Sequence, residues 1–260
     1  GSYSLLRGLK RYTDDLTAVV TMFDSGGSTG VLRDEFGILP PGDVRRCLLA
    51  LCDEKKQNRI LRDLFSYRFD KGSGLSGHSF GNLFLTALKD ITGSDIEAIE
   101  AASTILNIKG KVLPVTLDKA QLCAELEDAS IIRGETNIDI PKHDGSLKIK
   151  RVFLDQEASP YLEVLDAIKD ADKIIIGPGD LFTSVIPNLL VEGIPLALSH
   201  TKAKKIFVCN LMTKHGETNG FKASDFVAQI QKYLQGARID AVICNNDLGS
   251  PNVLERYAQE

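Results

Sequence analysis

The sequence predicts an α/β fold with a mostly parallel sheet, covered on both faces and carrying a β-rich insert. Three observations lead there. Short apolar runs rich in Val and Ile end in Gly, Asn or Ser, as strands buried on both faces do. Amphipathic stretches of helical period lie between them and supply the cover. Between residues 110 and 155 the pattern changes to alternation, the mark of strands with one wet face.

The elements follow in order. Helical periodicity predicts helices over residues 4–11, 43–52, 59–67, 82–91, 95–106, 161–170 and 225–234. Buried strands are expected at residues 16–23 (LTAVVTMF), 173–176 (KIII), 205–209 (KIFVC) and 240–244 (DAVIC). KVLPVTL, AQLCAELED, ASIIRGET and SLKIKRVFLD make up the β-rich insert at about 110–155, with no Pro/Gly/Ser-rich hinge to set it apart. The 260 residues thus read as one domain, 1–260.

Composition bounds the function. Lys and Arg total 31 against 35 Asp and Glu, a net charge of −4, which argues against general nucleic-acid binding. Small anions remain open, since local donors rather than net charge hold them. No apolar run reaches the roughly 18 residues of a membrane helix, and no charged-then-apolar leader opens the chain. Five scattered cysteines without a C-x-x-C pair read as small buried hydrophobes in a reducing compartment. The four histidines lack ligand spacing, so no metal ligands are assigned.

Four loops can carry chemistry. Asp24-Ser25-Gly26-Gly27-Ser28-Thr29-Gly30 follows a predicted strand. Its glycines allow close backbone approach, Ser28 and Thr29 can donate to phosphate, and Asp24 can hold a ribose hydroxyl or metal-bound water. A plain turn would use the same glycines. In Pro40-Pro41-Gly42-Asp43-Val44-Arg45-Arg46, Asp43 suits an N-cap, but two arginines in a first turn oppose the helix dipole. A bound phosphate would resolve that conflict.

The stretch from Gly72 to Asn82 contains a literal G-x-G-x-x-G, yet no strand precedes it, so it is not read as a dinucleotide fingerprint. His78, Ser79 and Asn82 remain as phosphate or sugar donors, a structural His78 being the plainer alternative. The fourth loop, Gly177-Pro178-Gly179, follows a strand. Asn188 and Asn210 add amides expected near strand carboxyl ends.

Taken together, D-x-G-G-S-T-G at residues 24–30, LRDEFGILPPGDVR at 32–45, GLSGHSFGN at 74–82, LCAELED at 122–128, IIGPGDLFTSVIPNLL at 175–190 and CNLMTKHGETNGF at 209–221 resemble the gluconeogenesis factor family, relatives of 2-phospho-L-lactate transferase. The resemblance implies a Rossmann-like three-layer sandwich whose first strand and glycine loop precede or overlap Gly1-Ser2. It implies a cytoplasmic regulatory protein of carbon metabolism, cell shape and wall synthesis. The ligand it suggests is a UDP-sugar such as UDP-N-acetylglucosamine, or NAD(P). Expected partners are cell-wall enzymes, regulatory proteins or a second copy of the chain.

The expected ligand-binding set is Asp24, Gly26, Gly27, Ser28, Thr29, Asp43, Arg45, His78, Ser79, Asn82, Gly177, Gly179, Asn188 and Asn210, with no catalytic residue and no required cofactor. Under the alternative, a Mg²⁺-dependent transferase of phosphorus-containing groups, Asp24 and Asp43 would carry the reaction. Two departures from the family pattern bear on the choice. Ser25 stands where a second aspartate is usual, and Arg46 where an asparagine is. Both favour direct phosphate contact over a metal bridging two acids.

Overall fold

The computed structural model describes residues 1–53 and 59–247. At its centre β1 (Thr17–Val20) pairs in parallel with β2 (Lys111–Pro114), Thr17 opposite Lys111 and Val20 opposite Pro114. Gly110 makes this pairing possible. Its φ is +95°, and a Cβ there would lie 2.3 Å from the Leu16 carbonyl oxygen.

Both faces of the pair are covered, and period-two alternation sends successive side chains into different cores. Ala18, Val20, Met22 and Val112 face one core with Leu6, Val44, Leu48, Leu51, Leu85 and Ala102. These come from α1 (Ser2–Leu9), α3 (Pro41–Leu51), α5 (Phe80–Thr92) and α6 (Asp95–Ile105), with Phe65 of α4 (Arg59–Ser66). Val19, Phe23, Leu113 and Val115 face the other core.

That second core lies among three groups of elements. An antiparallel sheet, ordered β4–β3–β5, uses β3 (Leu122–Leu126), β4 (Ile131–Arg133) and β5 (Ile149–Leu154). A parallel sheet, ordered β6–β7–β8, uses β6 (Lys173–Ile176), β7 (Lys204–Val208) and β8 (Ala241–Ile243). Helices α8 (Leu162–Asp170) and α11 (Ala223–Tyr233) complete it through Val164, Phe226 and Ile230.

The fold is therefore mixed α/β with parallel sheets. Among the described residues the parallel strands fall into two hydrogen-bonded groups rather than one, and KVLPVTL supplies β2 of the first group. The antiparallel sheet starts only at Leu122. Within ASIIRGET, β4 gives way to a short helix, α7 (Glu135–Asp139).

Other helices were hidden from periodicity. In α2 (Gly27–Phe36) glycines mask the pattern. A π-helical turn (Leu181–Val185) runs into α9 (Ile186–Leu189), and α10 (Ile194–His200) follows. These last segments are too short and too uniformly apolar to show a wet face. Among the described residues no single helix is long and apolar enough to cross a membrane. The apolar pair Leu181–Leu189 and Ile194–His200 is bent by 71°, and its larger side chains lie mainly in the second core.

Leu48, fully buried on α3, tests the first core. Leu48→Ala should lower unfolding free energy by about 2–5 kcal/mol, read as an earlier urea midpoint at unchanged slope.

Candidate functional site

Beyond β1 the chain reaches Asp24, whose Oδ1 accepts the Gly26 N–H at 2.8 Å and turns the backbone into α2. The first turn of α2 folds close against the preceding loop, for a Cβ on Gly30 would lie 2.3 Å from the Ser25 carbonyl oxygen. Helix α3 starts beside it. A Cβ on Gly42 would stand 2.6 Å from Thr29 Oγ1 and 2.8 Å from Asp24 Oδ2. Helix α5 arrives third, where a Cβ on Gly81 would lie 2.6 Å from Arg45 Cδ. Three helix N-termini, each the positive end of a dipole, thus meet around one loop, although at α5 the Phe80 N–H already donates to the Tyr67 carbonyl and the Asn82 N–H to Ser79 Oγ.

Side chains join them. Ser28 Oγ lies 3.0 Å from His78 Nδ1 and accepts from Asn82 Nδ2 at 3.3 Å. Asn82 Oδ1 accepts from Arg45 Nε at 3.0 Å, and Arg45 Nη1 donates to the Phe65 carbonyl at 3.4 Å. Burial foremost, then Arg46 and Arg68, holds the Arg45 pKa below its ordinary value. The arginines so close together form a cationic rim.

Carboxylates stand beside these cations. Burial pushes the Glu135 carboxyl up to about 8, helped by Asp24, Asp139 and Asp43. Burial also raises Asp43, with Asp24 and Asp180 adding to it and Arg46, 3.5 Å away, opposing. Carboxylates from four segments therefore share one field.

Helix α7 is tied to the glycine loop directly. The Thr136 N–H donates to Ser25 Oγ at 3.1 Å, and the Ser25 N–H donates to Glu135 Oε2 at 3.4 Å. Lys214 holds the far edge. Its Nζ is 3.1 Å from Asp180 and 3.0 Å from Glu217, and it also pairs with Asp139. Glu217 is 3% exposed, and burial raises its carboxyl to about 7. Its oxygens accept from the Phe182 N–H and Thr183 Oγ1, both at 3.2 Å. The ligand oxygens of Asp139, Asp180 and Glu217 lie within 4.8 Å of one another, a spacing suited to a cation. In this arrangement the Lys214 ammonium supplies the positive charge.

The structure brings Asp24, Gly26, Gly27, Ser28, Thr29, Asp43, Arg45, His78 and Asn82 together. Ser79 sits among them, but it is 1% exposed and its Oγ caps α5 by accepting the Asn82 N–H. Gly72, Gly74 and Gly77 line an exposed turn with open space beside each. Asn188 turns inward and donates to the Ser184 and Val185 carbonyls. Asn210 Oδ1 accepts the Gly179 N–H at 3.3 Å, so this amide shapes the Gly177–Gly179 loop.

Sequence reasoning missed Glu135, Asp139, Asp180, Lys214 and Glu217. Asp180 lies in the fourth loop, and Lys214 and Glu217 lie in CNLMTKHGETNGF, so the signal was present. Glu135 was read as the tail of a strand.

Residues 1–260 match the family described as 2-phospho-L-lactate transferase CofD. A relative from Nostoc sp. (strain PCC 7120) is 49% identical over the whole chain, which spans 56% of that relative. The chain likewise spans 57% of a 46% identical relative from Clostridium acetobutylicum, so it covers little more than half of these two proteins. The Bacillus subtilis protein named "Gluconeogenesis factor" is 44% identical over 98% of this chain and 79% of its own length. A crystal structure of a Bacillus halodurans protein superposes with a TM-score of 0.93 at 44% identity, over all of this chain and 82% of the other.

The acidic groups give a pH prediction. Glu135 has a folded pKa of about 8 against 4.5 for the free side chain. A carboxyl raised on folding contributes its stability below the unfolded value and loses it as pH climbs through the folded one. The parent chain should therefore weaken relative to Glu135→Gln between about pH 5 and pH 8. Urea midpoints of the two proteins should converge near the acid end and separate at the alkaline end, with the variant the more stable. Parallel curves would show that Glu135 holds no such proton.

Proposed function

The chain belongs to the 2-phospho-L-lactate transferase CofD family, and from that premise we propose that it binds a nucleoside-diphosphate sugar of the UDP-N-acetylglucosamine type as a regulatory ligand. The observation that carries this reading is the meeting of three helix N-termini with Ser28, His78 and Arg45. Such N–H groups and cations recognise phosphate oxygens without any reaction. The diphosphate would lie on residues 26–30 and Arg45, and the sugar hydroxyls toward Asp24 and Asp43. On this reading the protein acts in the cytoplasm through carbon-metabolism or cell-wall partners that favour the liganded conformer.

A second reading has its own support. Burial first, then the Asp24 carboxylate beside them, opposes ionisation of Asp43 and Glu135, and a divalent cation would relieve that conflict. Asp24 and Asp43 are the residues that would hold a Mg²⁺ ion, which would supply charge neutralisation, and the helix N-termini and Arg45 would hold a phosphate-bearing donor in place for transfer.

Titration calorimetry with UDP-N-acetylglucosamine, UDP-glucose and NAD, with and without Mg²⁺, separates the two. Metal-independent binding with the ligand recovered intact supports the regulatory reading. Metal-dependent binding followed by nucleotide release supports the transferase. Arg45→Ala should weaken UDP-N-acetylglucosamine about 10- to 100-fold, the worth of a hydrogen bond to a charged group, while barely changing uridine binding. Equal losses for both ligands would count against this placement of the diphosphate.

A further inference from the structure

At the carboxyl end of the three-stranded parallel sheet, β7 and β8 are each followed directly by a cysteine. Val208 is paired with Ile243, and the Cys209 N–H donates to the Ile243 carbonyl at 2.9 Å. Cys209 and Cys244 therefore continue the ladder side by side on one face. Adjacent strands lie about 4.8 Å apart, inside the range of Cα separations that a disulfide spans. Cys209 is 7% exposed, whereas Cys244 is open to solvent. Cys47, Cys52 and Cys123 are buried on other elements.

We propose that Cys209 and Cys244 form a thiol–disulfide modification site, closed by a hydroperoxide or a small-molecule disulfide. With hydrogen peroxide, the Cys244 thiolate attacks one oxygen, the O–O bond breaks, and Cys244 becomes a sulfenic acid as water leaves. The Cys209 sulfur then attacks the Cys244 sulfur. The S–S bond forms, the S–O bond breaks, and a second water departs with the remaining thiol proton. Two sulfurs lose two electrons in total, and the peroxide gains them.

The order of events follows from exposure. Burial, then the neighbouring Cys244, holds the Cys209 thiol above its ordinary value, so the solvent-facing partner is oxidised first. Closure would tie β7 to β8 one residue before Asn210, the side chain that holds the Gly179 N–H. The site stands independently of which nucleotide the chain binds.

The test uses the full chain, reduced and then treated with equimolar hydrogen peroxide or with oxidised glutathione. Remaining thiols are alkylated, and the protein is digested without reductant for mass spectrometry. The expected main product is a peptide pair joined through Cys209 and Cys244, lighter by two hydrogens and restored by dithiothreitol. Cys209→Ser should divert Cys244 to the glutathione adduct. A parent chain in which Cys244 accumulates as that adduct or as an intermolecular dimer, or in which both cysteines still alkylate fully, overturns the proposal.

Discussion

Three helices begin within reach of one another because the residues at their crossings lack side chains. A methyl group on Gly42 would sit 2.6 Å from Thr29 Oγ1 and one on Gly81 2.6 Å from Arg45 Cδ, while one on Gly30 would sit 2.3 Å from the Ser25 carbonyl oxygen of the loop that leads into its own helix. Glycine inside a helix costs about 0.5–1 kcal/mol relative to alanine. That cost is accepted at three places around one loop. Ser28, Arg45 and Asn82 reach each other only because the helices stand this close, so the hydrogen-bond network is a consequence of the crossings.

The convergence also gathers charge of both signs. Asp24 and Asp43 stand at the starts of α2 and α3, Asp43 3.5 Å from Arg46, and Glu135, Asp139, Asp180 and Glu217 extend the acidic field, with Lys214 among the last three. Ser25 has a clear role here. Its hydroxyl accepts from the start of α7, next to a glutamate that already resists ionisation. An aspartate at 25 would add another carboxylate to that field, whereas serine supplies the same acceptor without a charge.

Much of the architecture was legible in the sequence because burial leaves a periodic trace. The KIII run is β6 to the residue, and DIEAIEAASTI needed only Ser94 as its cap. Helix α2 was not legible, since its start is specified by close approach rather than by a hydrophobic stripe. The first three loops were read as ligand-facing, and they do meet. Ser79, Asn188 and Asn210 looked similar as residue types, but capping claims the Ser79 hydroxyl, and backbone bonding claims the Asn188 amide nitrogen and the Asn210 amide oxygen. The acids around Lys214 escaped notice because pairing across α7, the π-helical turn and the 214–217 turn is a property of tertiary contact, which a linear pattern does not record.

The β1–β2 pair has a consequence for how the chain folds. Thr17 meets Lys111, so their contact closes a loop of 111 − 17 = 94 residues. Such a distant encounter is entropically slow, and local helices form long before it. Each core draws residues from both strands of this one pair, so neither can finish packing until it closes. The closing of one strand pair is thus a packing step that both halves of the molecule share.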